Sequence, residues 1–112
     1  MSDIMLADKA AFDAAIEATK GDGKPLIVDF TATWCPPCQM IGPKFVAHAE
    51  SAANTKITFK KVDVDANGEA AQAAGIEAMP TFKVYKDGAE VVEDMIRGAS
   101  EDKLNTLVAK YN

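Results

Sequence analysis

Residues 26–40 read LIVDFTATWCPPCQM, an apolar run followed closely by the chain's two cysteines with a pair of prolines between them. Leu26 to Phe30 is short, mostly apolar and carries β-branched Ile27 and Val28. A central strand buried on both faces fits it best. From about Pro37 to Ser51 the spacing becomes helical, with Met40, Ile41, Phe45 and Val46 as the apolar stripe. Pro43 lies inside that segment and removes a backbone donor, so a kink is expected there. The cysteines thus fall on a strand-to-helix junction, with Cys35 at the helix start and Cys38 one turn inside.

The flanks extend the pattern. Ala7 to Thr19 reads as a helix with Phe12 and Ile16 on one face, and GDGKP (21–25) as a loop. Ile57 to Val64 alternates as a strand, and Glu69 to Ala74 is a short helix ended by Gly75. Thr81 to Tyr85 is a strand, Lys86-Asp87-Gly88 a hairpin turn, and Glu90 to Arg97 the partner strand. Ser100 caps a last helix bearing Leu104, Leu107 and Val108. The order αβαβαββα describes an α/β fold, a central mixed sheet flanked by helices on both faces. At 112 residues, positions 1–112 are expected to form a single domain.

Composition narrows the function. The net charge is −5 and the 12 Lys and Arg are scattered, which argues against a nucleic-acid face. No apolar run approaches the ~20 residues that span a bilayer, so no membrane partner is expected. MSDIMLADKAAF has no basic region followed by an apolar core, so no secretory signal is visible and an intracellular location is the default. In that setting a close cysteine pair is more often catalytic or metal-binding than structural.

As a staple the pair is badly placed. Closing a four-residue loop is worth ~2 kcal/mol by chain entropy, against ~4.7 kcal/mol for a loop of 100 residues. Structural metal sites mostly need four ligands, and two thiolates without a nearby histidine supply half of that. A metal would require two chains sharing both pairs. A redox centre makes no such demand. Residues i and i+3 of a helix share a face, ~5–6 Å apart at Cβ, within reach of a bond after small adjustment. The helix start favours a thiolate at Cys35, by roughly 0.3–1 kcal/mol and up to ~2 kcal/mol if partly buried. That equals about one pKa unit at most. Proline is tolerated in the first turn because the N–H it lacks would be unpaired there. Pro36 and Pro37 therefore leave the Cys38 N–H as the first donor available to Cys35.

VDFTATWCPPCQMIGPKF, KKVDVD, AMPTFKVYKDG and IRGAS resemble, in order and spacing, the successive blocks of thioredoxins. The wording is similar to eukaryotic cytosolic members, fungal ones in particular. The resemblance covers essentially the whole chain and implies the thioredoxin fold, βαβαββα with an extra N-terminal helix. It implies a protein-disulfide reductase working as a monomer in the cytoplasm, though a mitochondrial matrix form is compatible with it. Disulfide-containing proteins would be its substrates. Cys35 would be the exposed nucleophile and Cys38 the buried resolving thiol. No cofactor would be bound, and a thioredoxin reductase drawing on NADPH would restore the dithiol.

The same resemblance assigns the neighbours. Asp29, the one charge in an apolar strand, reads on its own as a strand-edge group facing solvent. The resemblance instead implies a buried proton acceptor for Cys38, acting through a water, with Lys61 rather than Lys60 beside it. Pro80 would be cis, although sequence alone favours trans. Trp34, Pro36, Met79, Pro80, Gly98 and Ala99 would border the substrate; on apolarity alone, Trp34 and Met79 would be assigned to the core. The departure is Pro36, where the family's usual motif is C-G-P-C. It removes an N–H near the thiolate and restricts Cys35 to extended backbone, implying a shifted redox poise. A more oxidising oxidase or isomerase, or a non-catalytic binding subunit, are the alternative functions.

Three other patterns lead nowhere. Asp63-x-Asp65-x-Asn67-Gly68 opens like a calcium loop, but its twelfth position is Ala74 instead of Glu. Gly21-Asp22-Gly23-Lys24 has the wrong spacing for a phosphate loop. His48 lies ten residues past Cys38, ~15 Å along a helix, too far to act as its base.

Overall fold

A computed structural model describes residues 4–112. Helix α1 (Lys9–Asp22) is followed by strand β1 (Leu26–Thr31) and helix α2 (Pro36–Glu50). A 3-10 turn at Ala52–Asn54 leads to β2 (Thr58–Asp63) and α3 (Gly68–Ala73). Then come β3 (Thr81–Lys86), β4 (Ala89–Glu90), a 3-10 turn at Val92–Asp94, β5 (Ile96–Arg97) and α4 (Glu101–Tyr111). The sheet runs β2-β1-β3-β4, with β5 also paired to β3. β1 is parallel to β2 and antiparallel to β3, so the sheet is mixed.

The core is built around β1, and its alternation explains the two layers of helices. Ile27 points into a cluster with Ile41 and Phe45 of α2 and Leu104 and Leu107 of α4. Leu26, Val28 and Phe30 point the other way, toward Phe12 of α1 and Ala70 of α3. β1 is buried along its whole length, which is why it reads as a continuous apolar run instead of an alternating one. Phe45 meets Phe59 edge-on at 5.5 Å and Phe82 at 5.8 Å between ring centroids, so α2 is pressed onto the sheet by three rings. That contact fixes where the start of α2 sits relative to the end of β1.

Helix ends follow local chemistry. Asp8 Oδ1 accepts the Ala11 N–H at 2.8 Å and starts α1, which runs past the expected end to Asp22 and stops at Gly23, φ 68°. Ser100 Oγ accepts the Lys103 N–H at 3.2 Å, as its position before the last apolar stripe predicts. α2 carries Pro43 in its interior and continues to Glu50.

Two expectations fail for physical reasons. Met40 does not join the apolar stripe of α2: it is 68% exposed. The buried positions are Cys38, Ile41, Gly42 and Phe45, spaced i, i+3, i+4, i+7, and Met40 lies off that face. The strand expected over Glu90 to Arg97 is broken in two. Bonds from Asp94 N to Val91 O (3.1 Å) and from Met95 N to Val92 O (3.2 Å) close a turn between β4 and β5. Asp94 leaves the sheet edge to accept hydrogen bonds from Lys110 and Tyr111 of α4. These bonds hold its carboxyl below the ordinary range against the opposing effect of burial, and push the Tyr111 phenol, already raised by burial, up to about 12.

Candidate active site

The end of β1 and the start of α2 are joined by four residues that turn back on themselves. Val64 N donates to Thr31 O at 2.9 Å, fixing the strand end, and Cys35 N donates to Ala32 O at 3.3 Å, closing the turn. Cys35 is the N-cap of α2, and its sulfur accepts the Cys38 N–H at 3.3 Å. Pro36 and Pro37 occupy the first two helical positions, where neither N–H is missed. Cys35 and Cys38 form a disulfide with their Cα atoms 5.2 Å apart.

Cys35 is not the exposed thiol that the family resemblance implies. Its residue is 4% exposed, against 2% for Cys38. In the disulfide its sulfur is turned inward onto Cys38, and the Met79 carbonyl oxygen lies 3.7 Å from it. Ala32 and the two cysteines form a small apolar cluster, closed by Val64 and Met79.

The opposite wall comes from two chain segments far apart in sequence. The Met79–Pro80 peptide bond is cis, and Pro80 is fully buried. Pro80 O accepts the Gly98 N–H at 2.9 Å, which ties the β5–α4 loop to the β3 entry. Gly98 has φ 103°, a conformation that favours glycine. Ala99, next to it, is half-buried and packs on the core side. Trp34, next to Cys35 in the chain, is 62% exposed, and its Nε1–H donates to Asp65 Oδ2 at 2.7 Å. Pro36 is exposed.

Asp29 is the electrostatic feature of the site. It lies on the face of β1 that α2 covers, is fully buried, and neither carboxyl oxygen has a hydrogen-bond partner. Burial without partners disfavours the anion, and its pKa is pushed up to about 7, partly offset by the positive charge of Lys61. Lys61 stands opposite Asp29 in the β1–β2 register. A Cβ built on Gly42 would come within 3.7 Å of Lys61 Nζ, so the ammonium lies under α2. Thr31, Cys38, Gln39, Gly42, Pro43, Val46 and Lys61 line a cleft of about 330 Å³. Gln39 Nε2 donates to Ala32 O at 3.0 Å along its rim.

The Met79 carbonyl thus lies against Cys35, Pro80 is bonded to Gly98, and Lys61 both shares the cleft beside Cys38 and stands opposite Asp29 in the sheet. Among the described residues, no group of three or more His, Cys, Asp or Glu is placed to hold a metal ion, and no helix is long and apolar enough to cross a membrane. His48 lies in the last turn of α2, its Nε2 2.7 Å from Asn105 Oδ1 of α4. Sequence reasoning missed Asp65. Its signal lay in the Asp63-x-Asp65-x-Asn67 run, but a calcium loop is the only chemistry such a run suggests by itself.

The thioredoxin family profile matches residues 3–110. An H-type thioredoxin of Chlamydomonas reinhardtii is 55% identical over 96% of this chain and 93% of its own. A thioredoxin of Geodia cydonium is 47% identical over 94% of each chain. The solved structure of a Plasmodium falciparum thioredoxin superposes with a TM-score of 0.86 at 39% identity, covering 96% of this chain and 98% of the other.

Proposed function

The chain belongs to the thioredoxin family and is a thiol–disulfide oxidoreductase; from that premise we propose that it runs in the reducing direction, on protein disulfides, as a single domain in the cytoplasm. The observation that carries the reading is the Cys35–Cys38 disulfide at the start of α2, with an orphaned carboxyl buried on the same face of the sheet.

In the reduced protein, Cys35 is the attacking thiolate, favoured by its N-cap position and by the Cys38 N–H aimed at its sulfur. It attacks one sulfur of a substrate disulfide; a mixed disulfide forms, and the other substrate sulfur leaves as thiolate. Cys38 then gives up its proton, attacks Cys35 Sγ, and the substrate leaves with both sulfurs reduced. Two electrons have passed to the substrate and the Cys35–Cys38 bond has closed. Asp29 is the acceptor for the Cys38 proton. A pKa near 7 suits that task, because the carboxyl is neither fully ionised nor fully neutral at the working pH. Lys61 keeps the carboxyl from rising further. Trp34, Pro36, Met79, Pro80, Gly98 and Ala99 border the substrate. A thioredoxin reductase drawing on NADPH returns the disulfide to the dithiol, without a cofactor bound to this chain. The cytoplasm is supported by the resemblance to cytosolic thioredoxins.

Equilibrium titration of the couple against glutathione buffers tests the direction. A pair that stays oxidised until the buffer is strongly reducing supports a reductase. A pair reduced readily by glutathione overturns it in favour of an oxidant or isomerase.

A further inference from the structure

The two chain segments that meet at the cis peptide bond are fixed in their backbone and charged at their tips. Thr81 Oγ1 donates to Ala78 O at 2.6 Å, the Gly98 N–H bonds to Pro80 O at 2.9 Å, and Thr81 stands opposite Arg97 in the β3–β5 register. The carbonyl oxygen of Met79, in the first segment, lies 3.7 Å from Cys35 Sγ. Residues 77–81 read EAMPT and residues 96–100 read IRGAS, so Glu77 and Arg97 are the charged side chains of the two segments. Arg97 Nη2 lies 3.5 Å from Glu77 Oε1, with the two side chains 56% and 79% exposed respectively.

This ion pair does little for the fold. A single long contact between exposed groups is screened by salt and contributes little to stability. Glu77 is the guanidinium's only hydrogen-bond partner among the described residues, which leaves most of its N–H donors for another carboxylate. A guanidinium stays charged at any working pH and meets a carboxylate in a planar fork. Arg97 therefore offers a standing positive charge one residue before Gly98, on the segment tied to Pro80. We propose that Arg97 is a specificity-determining residue: it recognises an acidic side chain next to the disulfide of a protein substrate, and Glu77 competes for the same guanidinium until that side chain displaces it. This rests on the reading that Cys35 attacks protein disulfides bordered by Met79, Pro80 and Gly98.

The reduced protein is mixed by stopped flow with peptides whose single cysteine is blocked by nitrothiobenzoate and flanked on both sides by Glu, Lys or Ala. Cys35 thiolate attacks the peptide sulfur, the absorbing nitrothiobenzoate thiolate leaves, and Cys38 then displaces the peptide thiol. The ratio of second-order rates for the Glu and Lys peptides reads the preference with no reductase present. Arg97→Ala lowers that ratio by up to about fivefold and leaves the rate with the Ala peptide unchanged. Lys56→Ala controls for net charge: it removes the same charge just before Thr58, which pairs with the first residue of β1, whereas Cys35 follows the last. Glu77→Gln raises the ratio, and gives no rise when Arg97→Ala is also present. Equal shifts in Arg97→Ala and Lys56→Ala overturn the proposal, because net charge then accounts for both. A rise from Glu77→Gln that persists without Arg97 overturns it too, since Glu77 then acts alone. If the parent releases nitrothiobenzoate from none of the peptides, Cys35 is not the attacking thiol and the functional reading fails first. A parent that reacts with all of them at a ratio indifferent to Arg97 overturns the charge recognition and leaves that reading standing.

Discussion

Replacing Asp29 by asparagine tests the buried carboxyl through stability, with no substrate involved. In the folded protein Asp29 has a pKa near 7, against an ordinary value of 3.8. The folded state therefore holds this proton more tightly than the unfolded chain. Stability from that difference is fully present below pH 3.8 and is lost as the pH rises through about 7. An interval of about 3 pH units at ~1.4 kcal/mol each corresponds to roughly 4 kcal/mol, an upper bound because the site relaxes around the charge. The asparagine amide has nothing to ionise and nearly the same shape. Asp29→Asn is thus expected to match the parent near pH 4 and to exceed it by up to roughly 4 kcal/mol at pH 8 to 9. Urea unfolding of the oxidised proteins across that range measures the gap. A gap of equal size at pH 4 and pH 9 refutes the reasoning, since a pH-independent difference owes nothing to ionisation. A destabilised variant at pH 9 refutes it more directly.

Lys61→Met removes the one positive charge that lowers the Asp29 pKa, so the Asp29 titration followed by carboxyl NMR should move above about 7; a downward move contradicts the pairing. Phe45→Ala empties the space between Phe59 and Phe82 and is expected to cost ~3–5 kcal/mol in urea unfolding. Pro36→Gly restores an N–H beside Cys35 and frees its backbone, and should shift the potential of the couple by ~30 mV or more, equal to ~1.4 kcal/mol. An unchanged potential together with unchanged reductase kinetics rules that out.

Much of this was legible in residues 26–40. A short apolar run with no alternation required a strand covered on both faces, and the prolines required the first turn of a helix. Ser100 and Gly75 marked helix ends because capping is a local event. What failed depended on partners distant in sequence. Nothing near Asp94 announces that Lys110 and Tyr111 will draw it off the sheet edge. Nothing within the strand says that Asp29 faces α2 instead of water; that follows from its pairing with Lys61 on one side and Phe82 on the other. Family resemblance supplied what local pattern could not. The Cys35–Cys38 bond is likewise outside what sequence shows, because sequence does not record oxidation state.

The division of labour between the two sulfurs is the centre of the account, and trapping measures it. Reduced Cys38→Ser is mixed with an excess of oxidised insulin, and the product is resolved by mass under non-reducing conditions. The account predicts a stable mixed disulfide through Cys35, because a serine hydroxyl in place of the resolving thiol cannot displace the substrate, while reduced Cys35→Ser forms little. Equal trapping by both variants, or trapping by Cys35→Ser alone, would contradict Cys35 as the attacking thiol.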